Sequence, residues 1–248
     1  MPLAENMLQS ISLFSNISPE SFKKIAGIAK VHFYKKGTYI LNDSQAQNTF
    51  LYVVNGWIKL FKESSDGEEI IIDILTNSHY CGEQFIFQTD VENIYTALAI
   101  SDIKVLTLPL QTLKQLIQTD HILSLNFLQA TLQKQHQLNM HVEHLSIQSA
   151  LHRIGCFILR LCSLHLAEKE STIAVKLPYD KFLLATRLGM RAETFSRALT
   201  KLCKQCDIKV KGDTVYVNDI KKLSAFVCEQ CSKTFPCKDV IHENNQTF

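Results

Sequence analysis

Several things are scarce in this 248-residue chain. No stretch approaches the ~18 consecutive apolar residues that a membrane-spanning helix needs. Met1-Pro2-Leu3-Ala4-Glu5-Asn6 lacks the basic flank and apolar run of a secretory signal, which predicts a cytoplasmic protein. Of eight cysteines, only Cys81 lies in residues 1–150. Without a secretory signal, a disulfide framework is not expected, and the remaining thiols read as free or metal-binding. Candidate metal ligands are also sparse on the β-rich segments: His32, His79 and Glu83 are too scattered for a cupin-like metalloenzyme.

What is present is an ordinary globular composition with an uneven charge. Hydrophobic residues make up 46%, enough at this length for one large core or two smaller ones. Residues 1–150 carry 10 Lys and Arg against 14 Asp and Glu, net −4; residues 151–248 carry 16 against 10, net +6. A basic C-terminal part suits contact with phosphates.

Residues 5–30 read as helical, with Ser18-Pro19-Glu20 as an N-cap, a first-turn proline and a favourable acid. Short β-rich runs follow: Val31–Tyr34, Thr38–Leu41, Phe50–Val54, Trp57–Phe61, Glu69–Leu75, Tyr95–Ala99 and Lys104–Leu108. Lys36-Gly37, Asn55-Gly56, Ser65-Asp66-Gly67 and Thr76-Asn77-Ser78 punctuate them, and Asn-Gly and Asp-Gly are strong hairpin signals. The pattern predicts an antiparallel roll or jelly-roll barrel. Pro109 closes it, and Leu110–Thr119 reads as a short helix. A long helix without Pro or Gly runs from Asp120 to about Leu145. Within it Leu125, Leu128, Leu132, Gln135, Asn139 and Val142 recur at alternating spacings of three and four, a coiled-coil seam with a polar middle. Either a second copy covers that seam or the helix packs on its own barrel.

An apolar-faced helix is predicted over 147–166, then a strand at Ile173–Leu177 and a helix opened by Pro178 and running to about Arg187. Gly189 makes a turn into a second helix over about 191–204, and Ile208–Val210 with Thr214–Val217 forms a hairpin around Lys211-Gly212-Asp213. This is the order of a winged helix-turn-helix. Glu193, Ser196 and Arg197 share one face of the second helix. Arg can fork onto guanine, Glu can accept from cytosine, and Ser can serve either way, so this helix is fitted to read base edges of double-stranded DNA. The plain alternative is a surface helix held by a Glu–Arg salt bridge. Arg191, Lys201, Lys209 and Lys211 are candidate phosphate contacts, which position without specifying.

Over roughly residues 8–225 the whole order resembles the Crp/Fnr superfamily of bacterial transcription regulators. The resemblance is carried by Lys36-Gly37-Thr38-Tyr39-Ile40, Val53-Val54-Asn55-Gly56-Trp57-Ile58-Lys59-Leu60, Gly82-Glu83 and, most specifically, Glu193-Thr194-Phe195-Ser196-Arg197. It implies an α+β chain: a β-roll sensor domain like the cyclic-nucleotide-binding jelly roll over 1–119, a dimerisation helix over 120–146, a winged helix-turn-helix over 147–227 and a Cys-containing tail over 228–248. Fnr-type members carry the same Glu-x-x-Ser-Arg constellation and read half-sites close to TTGAT in an inverted repeat. Ser196 stands where Crp-type members have Gly, which places the chain nearer the Fnr branch. The glycine usual near Asp43–Ser44 is missing. The resemblance further implies a homodimer, DNA and RNA polymerase as partners, and no enzymatic activity.

Cyclic-nucleotide binders of that superfamily follow Gly-Glu with Arg-Ser/Thr-Ala, the arginine neutralising the cyclic phosphate. Here Gly82-Glu83 is followed by Tyr95-Thr96-Ala97, two residues late and without the guanidinium. An effector pocket at Gly82, Glu83, Tyr95 and Thr96 is therefore expected to take something other than cyclic AMP, or to stand without a ligand in a constitutive DNA binder. The cysteine group that holds an N-terminal iron–sulfur cluster in oxygen-sensing members is absent. Similarity to the nitric-oxide-responsive branch makes haem a candidate cofactor and a gas or small molecule a candidate effector. An axial ligand would come from His32, His79, His136, His141, His144 or His152. Cys228-x-x-Cys231-x5-Cys237 gathers three thiols that suit zinc, copper(I) or iron–sulfur, or form an inert tail.

Overall fold

The computed structural model describes residues 2–41, 48–67, 69–87, 95–163, 172–177, 180–229 and 235. They form two compact units, Met1–Lys134 and a second from Gln135 onward.

The first unit begins with α1 (Pro2–Gln9), a 3-10 turn (Ser12–Phe14) and α2 (Pro19–Ile28). The single helical stretch expected over 5–30 is thus broken. Asn16 adopts a left-handed conformation (φ 56°), which Asn tolerates, and Ser18 before Pro19 is extended (ψ 145°), as the proline ring requires. Ser18 then caps α2, its hydroxyl accepting from the Ser21 N–H at 3.2 Å.

Eight strands follow: β1 (Lys30–Tyr34), β2 (Tyr39–Leu41), β3 (Thr49–Asn55), β4 (Ile58–Glu63), β5 (Glu69–Leu75), β6 (Tyr80–Cys81), β7 (Thr96–Ala99) and β8 (Ile103–Pro109). They pair antiparallel in two sheets, β1-β8-β3-β6 and β2-β7-β4-β5. Alternation along the strands builds two cores. Leu51 and Val53 of β3, with Ile103 and Val105 of β8, meet Ile58, Leu60 and Ala97 between the sheets. Phe50, Leu106 and Leu108 point the other way, onto Leu8, Phe14 and Ile25 and onto Leu113 and Phe127 of the helices that follow. The first sheet is therefore covered on both faces. Strand β6, two residues long, escapes sequence patterning.

Helix α3 (Leu110–Thr119) leads through Asp120 into the long helix α4 (His121–Ile147). Asp120 caps α4, accepting from the Leu123 N–H at 3.0 Å, and its other oxygen accepts from the Ser18 N–H at 3.0 Å. Burial opposes its ionisation, but these bonds and those of the Ser21 and Ser18 hydroxyls outweigh it and hold the carboxyl well below the usual range. Along α4, Leu123, Phe127, Ala130 and Lys134 face the roll, while Leu125, Leu128, Leu132 and Val142 are 46–61% exposed together with Gln135 and Asn139. The division between the units falls within this helix, at Lys134 and Gln135.

The second unit contains α5 (Ala150–Ser163), β9 (Ile173–Lys176), α6 (Lys181–Arg187), α7 (Ala192–Cys206), β10 (Ile208–Lys211), β11 (Thr214–Val217) and α8 (Ile220–Cys228). The strands form one antiparallel sheet ordered β10-β11-β9. Two expectations are corrected here. Helix α6 opens at Lys181 with Asp180 as its cap, whose carboxylate accepts from the Leu183 N–H at 2.9 Å; Pro178 lies outside the described residues. The segment after the wing is α8, capped by Asp219 and packed on α5 through Leu223 and Val227, so Cys228 ends a helix of this unit rather than beginning a tail.

Candidate functional site

The turn between α6 and α7 is a Schellman close. The Met190 N–H reaches Ala185 O at 3.0 Å and the Gly189 N–H reaches Thr186 O at 3.0 Å, with Gly189 at φ +64°. This satisfies the last carbonyls of α6 and redirects the chain into α7. On α7, Phe195, Ala198, Leu199, Leu202 and Cys206 are buried at helical spacing. That stripe fixes the roll of the helix about its axis and leaves Glu193, Ser196 and Arg197 on the outer face, all exposed. Among the described residues, no hydrogen bond or ion pair engages any of the three side chains. The Glu193–Arg197 salt bridge that would make this an ordinary surface helix is not formed. Glu193 also lies in the first turn, where the helix dipole favours an acid.

Arg191, Lys201, Lys209 and Lys211 are likewise exposed. Arg191 is the N-cap of α7. Lys209 and Lys211 alternate with the buried or half-buried Ile208 and Val210 on β10, so both project from one side of the wing. A Lys176–Asp213 pair at 3.2 Å ties the wing turn to β9.

In the roll, Gly82 sits at φ +101°, and a Cβ there would lie 2.4 Å from Thr49 O; only glycine fits. It sets a 3-10 turn (Glu83–Phe85) that presents Glu83 to α4. The carboxylate is ion-paired through Oε1 with Lys134, and the ammonium also stands 5.4 Å over the Tyr80 ring. The other carboxylate oxygen, Oε2, is buried with no hydrogen-bond partner among the described residues. Tyr95 is 4% exposed, and burial, with the nearby Cys81 and Glu83 adding to it, pushes its phenol above the ordinary range. Burial likewise pushes the Cys81 thiol up to about 12, so it is no reactive thiolate. Glu83 thus lies near enough to oppose ionisation of Tyr95. Thr96, next along β7, takes the opposite face and stays half-exposed.

Comparison with known proteins matches residues 31–120 to the cyclic nucleotide-binding domain and residues 152–226 to the Crp-like helix-turn-helix domain. Together these cover about two thirds of the chain. The chain belongs to the Crp/Fnr family. A probable transcriptional regulator, Flp, of Lacticaseibacillus casei is 24% identical over 90% of this chain and 99% of its own length. Human cGMP-dependent protein kinase 2 is 28% identical over 116 residues, which are 46% of this chain and 15% of the kinase. The chain therefore spans only a small part of the kinase relatives it matches. The structure of FixK2 from Bradyrhizobium japonicum superposes with a TM-score of 0.64 at 22% identity, covering 79% of this chain and 96% of that one, a likeness of fold.

Among the described residues, the histidines named as candidate axial ligands stand in separate settings. His152 stacks on Phe226 at 4.8 Å and is bonded to Ser149 Oγ at 2.6 Å. His32 stacks on Tyr34, and His136 and His141 are exposed along α4. Among the described residues no cluster of three His, Cys, Asp or Glu could hold a metal ion. Cys231 and Cys237 lie outside the described residues, and Cys228 is half-buried at the end of α8. No described helix is long and apolar enough to cross a membrane.

Sequence reasoning passed over Lys134 and Arg153. Lys134 carried a signal, as a lone cation continuing the roll-facing stripe of Leu123, Phe127 and Ala130. Arg153 carried none, because its partners lie 35 and 36 residues away.

Proposed function

We propose that the protein is a homodimeric transcription regulator that reads an Fnr-like inverted repeat in double-stranded DNA, with RNA polymerase as a further partner. Glu193, Ser196 and Arg197 are the base readers; Arg191, Lys201, Lys209 and Lys211 contact phosphates. The observation that carries this reading is the outer face of α7, where three side chains of the right chemistry stand exposed and unengaged. Each can desolvate onto a base edge without first giving up an internal partner. The exposed leucines of α4 support the dimer: an apolar stripe of this length on a solvent-facing helix calls for a partner helix, and two copies would present two recognition helices to two half-sites.

The roll gates this reading. Glu83 is already neutralised by Lys134, and no arginine stands beside it to bind a cyclic phosphate. The effector is therefore a ligand other than cyclic AMP, and it acts by biasing how the long helices pair. Binding of labelled duplexes carrying TTGAT half-sites tests the reading. The protein should prefer the inverted repeat over scrambled DNA by at least about a thousandfold, and cyclic AMP should not change that ratio. Equal affinity for both duplexes overturns DNA reading, and a strong cyclic AMP response overturns the effector assignment.

A further inference from the structure

Arg153 lies in the first turn of α5. Its Nη1 donates to Leu188 O at 2.7 Å and to Gly189 O at 3.3 Å, the carbonyls of the turn between α6 and α7. A cation at the carbonyl end of a helix is favoured by the dipole, and charge-assisted bonds are the stronger kind. The same guanidinium leaves Nε buried without a partner among the described residues, a state that costs free energy. An aliphatic residue would avoid that cost, so packing alone does not account for an arginine here; the two carbonyl bonds do.

Leu145, near the end of α4, meets the same turn. A Cβ placed on Gly189 would fall 2.6 Å from Leu145 Cδ2 and 3.1 Å from Arg153 Nη1. Helices α4 and α5 are joined by only two residues, Gln148 and Ser149. Gln148 is 5% exposed, with its N–H on His144 O at 3.0 Å. The turn that launches α7 is thus gripped from the end of the long helix by Leu145 and from the start of the next by Arg153.

We propose that Arg153, backed by Leu145, is the positioning residue that holds the recognition helix in fixed orientation to the last turns of the long helix, within the second unit, and so sets the spacing at which two recognition helices meet DNA. This rests on the dimeric DNA-reading function proposed above. Arg153 touches no base. It acts on α7 through the carbonyls of the turn, and the orientation of α7 follows from the short connection Met190–Arg191.

The test is a series of duplexes with identical half-sites whose central spacer is shortened or lengthened by one base pair, bound by full-length protein. Wild type should prefer one spacing by roughly tenfold. Arg153→Met should flatten that preference to about threefold or less, while its ratio of intact to mutated half-site stays that of wild type. Arg153→Lys should restore part of the preference, since an ammonium can still donate to the carbonyls. Leu145→Ala should flatten it too, which keeps the proposal testable if Arg153→Met fails to fold. Amide exchange at Gly189 and Met190, measured without DNA, should accelerate in Arg153→Met, and exchange along α7 should not. Unchanged spacing preference in the folded variants overturns the proposal, as does unchanged exchange at the turn. If wild type shows no sequence preference but the turn still loosens in Arg153→Met, DNA reading falls and the turn-holding role stands.

Discussion

Helix α7 and the 3-10 turn of the roll each set a carboxylate near a cation, and they treat the pair oppositely. On α7, Glu193 and Arg197 stand one turn apart, exposed and unpaired. In the roll, Glu83 and Lys134 come from segments 51 residues apart and pair, at 16% and 35% exposure. A charge left in water keeps its hydration and can exchange it for a base or a phosphate. A charge withdrawn from water must be neutralised by the fold itself. The first arrangement leaves both charges in water, as the proposed role in reading DNA requires. The second has found its partner within the chain, and it ties the roll to the helix that bears the apolar seam.

Lys134→Met should break the comparison most forcefully. It strands Glu83 in a largely buried setting, and fully buried pairs lose about 3–5 kcal/mol when one partner is removed. Because Lys134 is about one-third exposed, solvent softens this, and a loss of roughly 2–3 kcal/mol is expected. Thermal melting reads it directly, and adding Glu83→Gln should recover part of the loss. No change in melting temperature would mean that the internal pair is no different in kind from the exposed one.

Arg197→Ala is the complementary measurement. It should leave the melting temperature unchanged and remove about 1–3 kcal/mol of discrimination between the cognate half-site and one mutated at the contacted base. A competition gel shift against both duplexes gives that number. A variant that loses stability but keeps its preference would make α7 an ordinary structural surface.

The two regions were also unequally legible in the sequence. The face of α7 follows from helical spacing alone, because its buried stripe and its polar residues lie within four turns of one another. The strands of the roll follow from alternation and from turns such as Asn55-Gly56. What escaped depends on contacts distant in sequence or on elements too short to show a period. The Lys134–Glu83 pair and the Arg153 bonds to the Gly189 turn are of the first kind, and β6 is of the second. Helix α8 is different: Asp219 before Ile220, Leu223 and Val227 is a readable cap and stripe, hidden only by the cysteines that follow. Of the residues proposed for the effector, Tyr95 is buried and Thr96 takes the opposite face, because neighbouring residues on a strand alternate.

Asp120 offers a test within the first unit, at the point where α4 starts. Asp120→Ala removes a cap and a tie to Ser18, and should cost about 1–2 kcal/mol. The carboxyl has a lower pKa folded than unfolded. Its contribution is therefore fully present above the unfolded value of roughly 3.9 and is lost as the pH falls from there toward the folded value. Melting curves of wild type and Asp120→Ala should accordingly lie apart at pH 7 and draw progressively together as the pH falls below about 4. A gap that persists undiminished in acid would assign the loss to packing instead.

The smallest expected effect separates the two kinds of exposed charge on the DNA-reading unit. Lys211, at the end of β10 and exposed, has the chemistry of a phosphate contact. Lys211→Ala should weaken binding to every duplex alike, by less than about 1 kcal/mol at moderate salt, and should reduce the salt slope of log K by about one. Arg197→Ala, by contrast, should change affinity most for the cognate duplex. The contrast follows from where each cation stands. Arg197 shares its helix face with Glu193 and Ser196, which together can match one base pattern. Lys211 sits beside a glycine turn, apart from that face, and as a lone point charge on a flexible stem it suits the uniform phosphate backbone. Identical behaviour of the two variants across a panel of sequences would erase that distinction and, with it, the assignment of the α7 face as the reader.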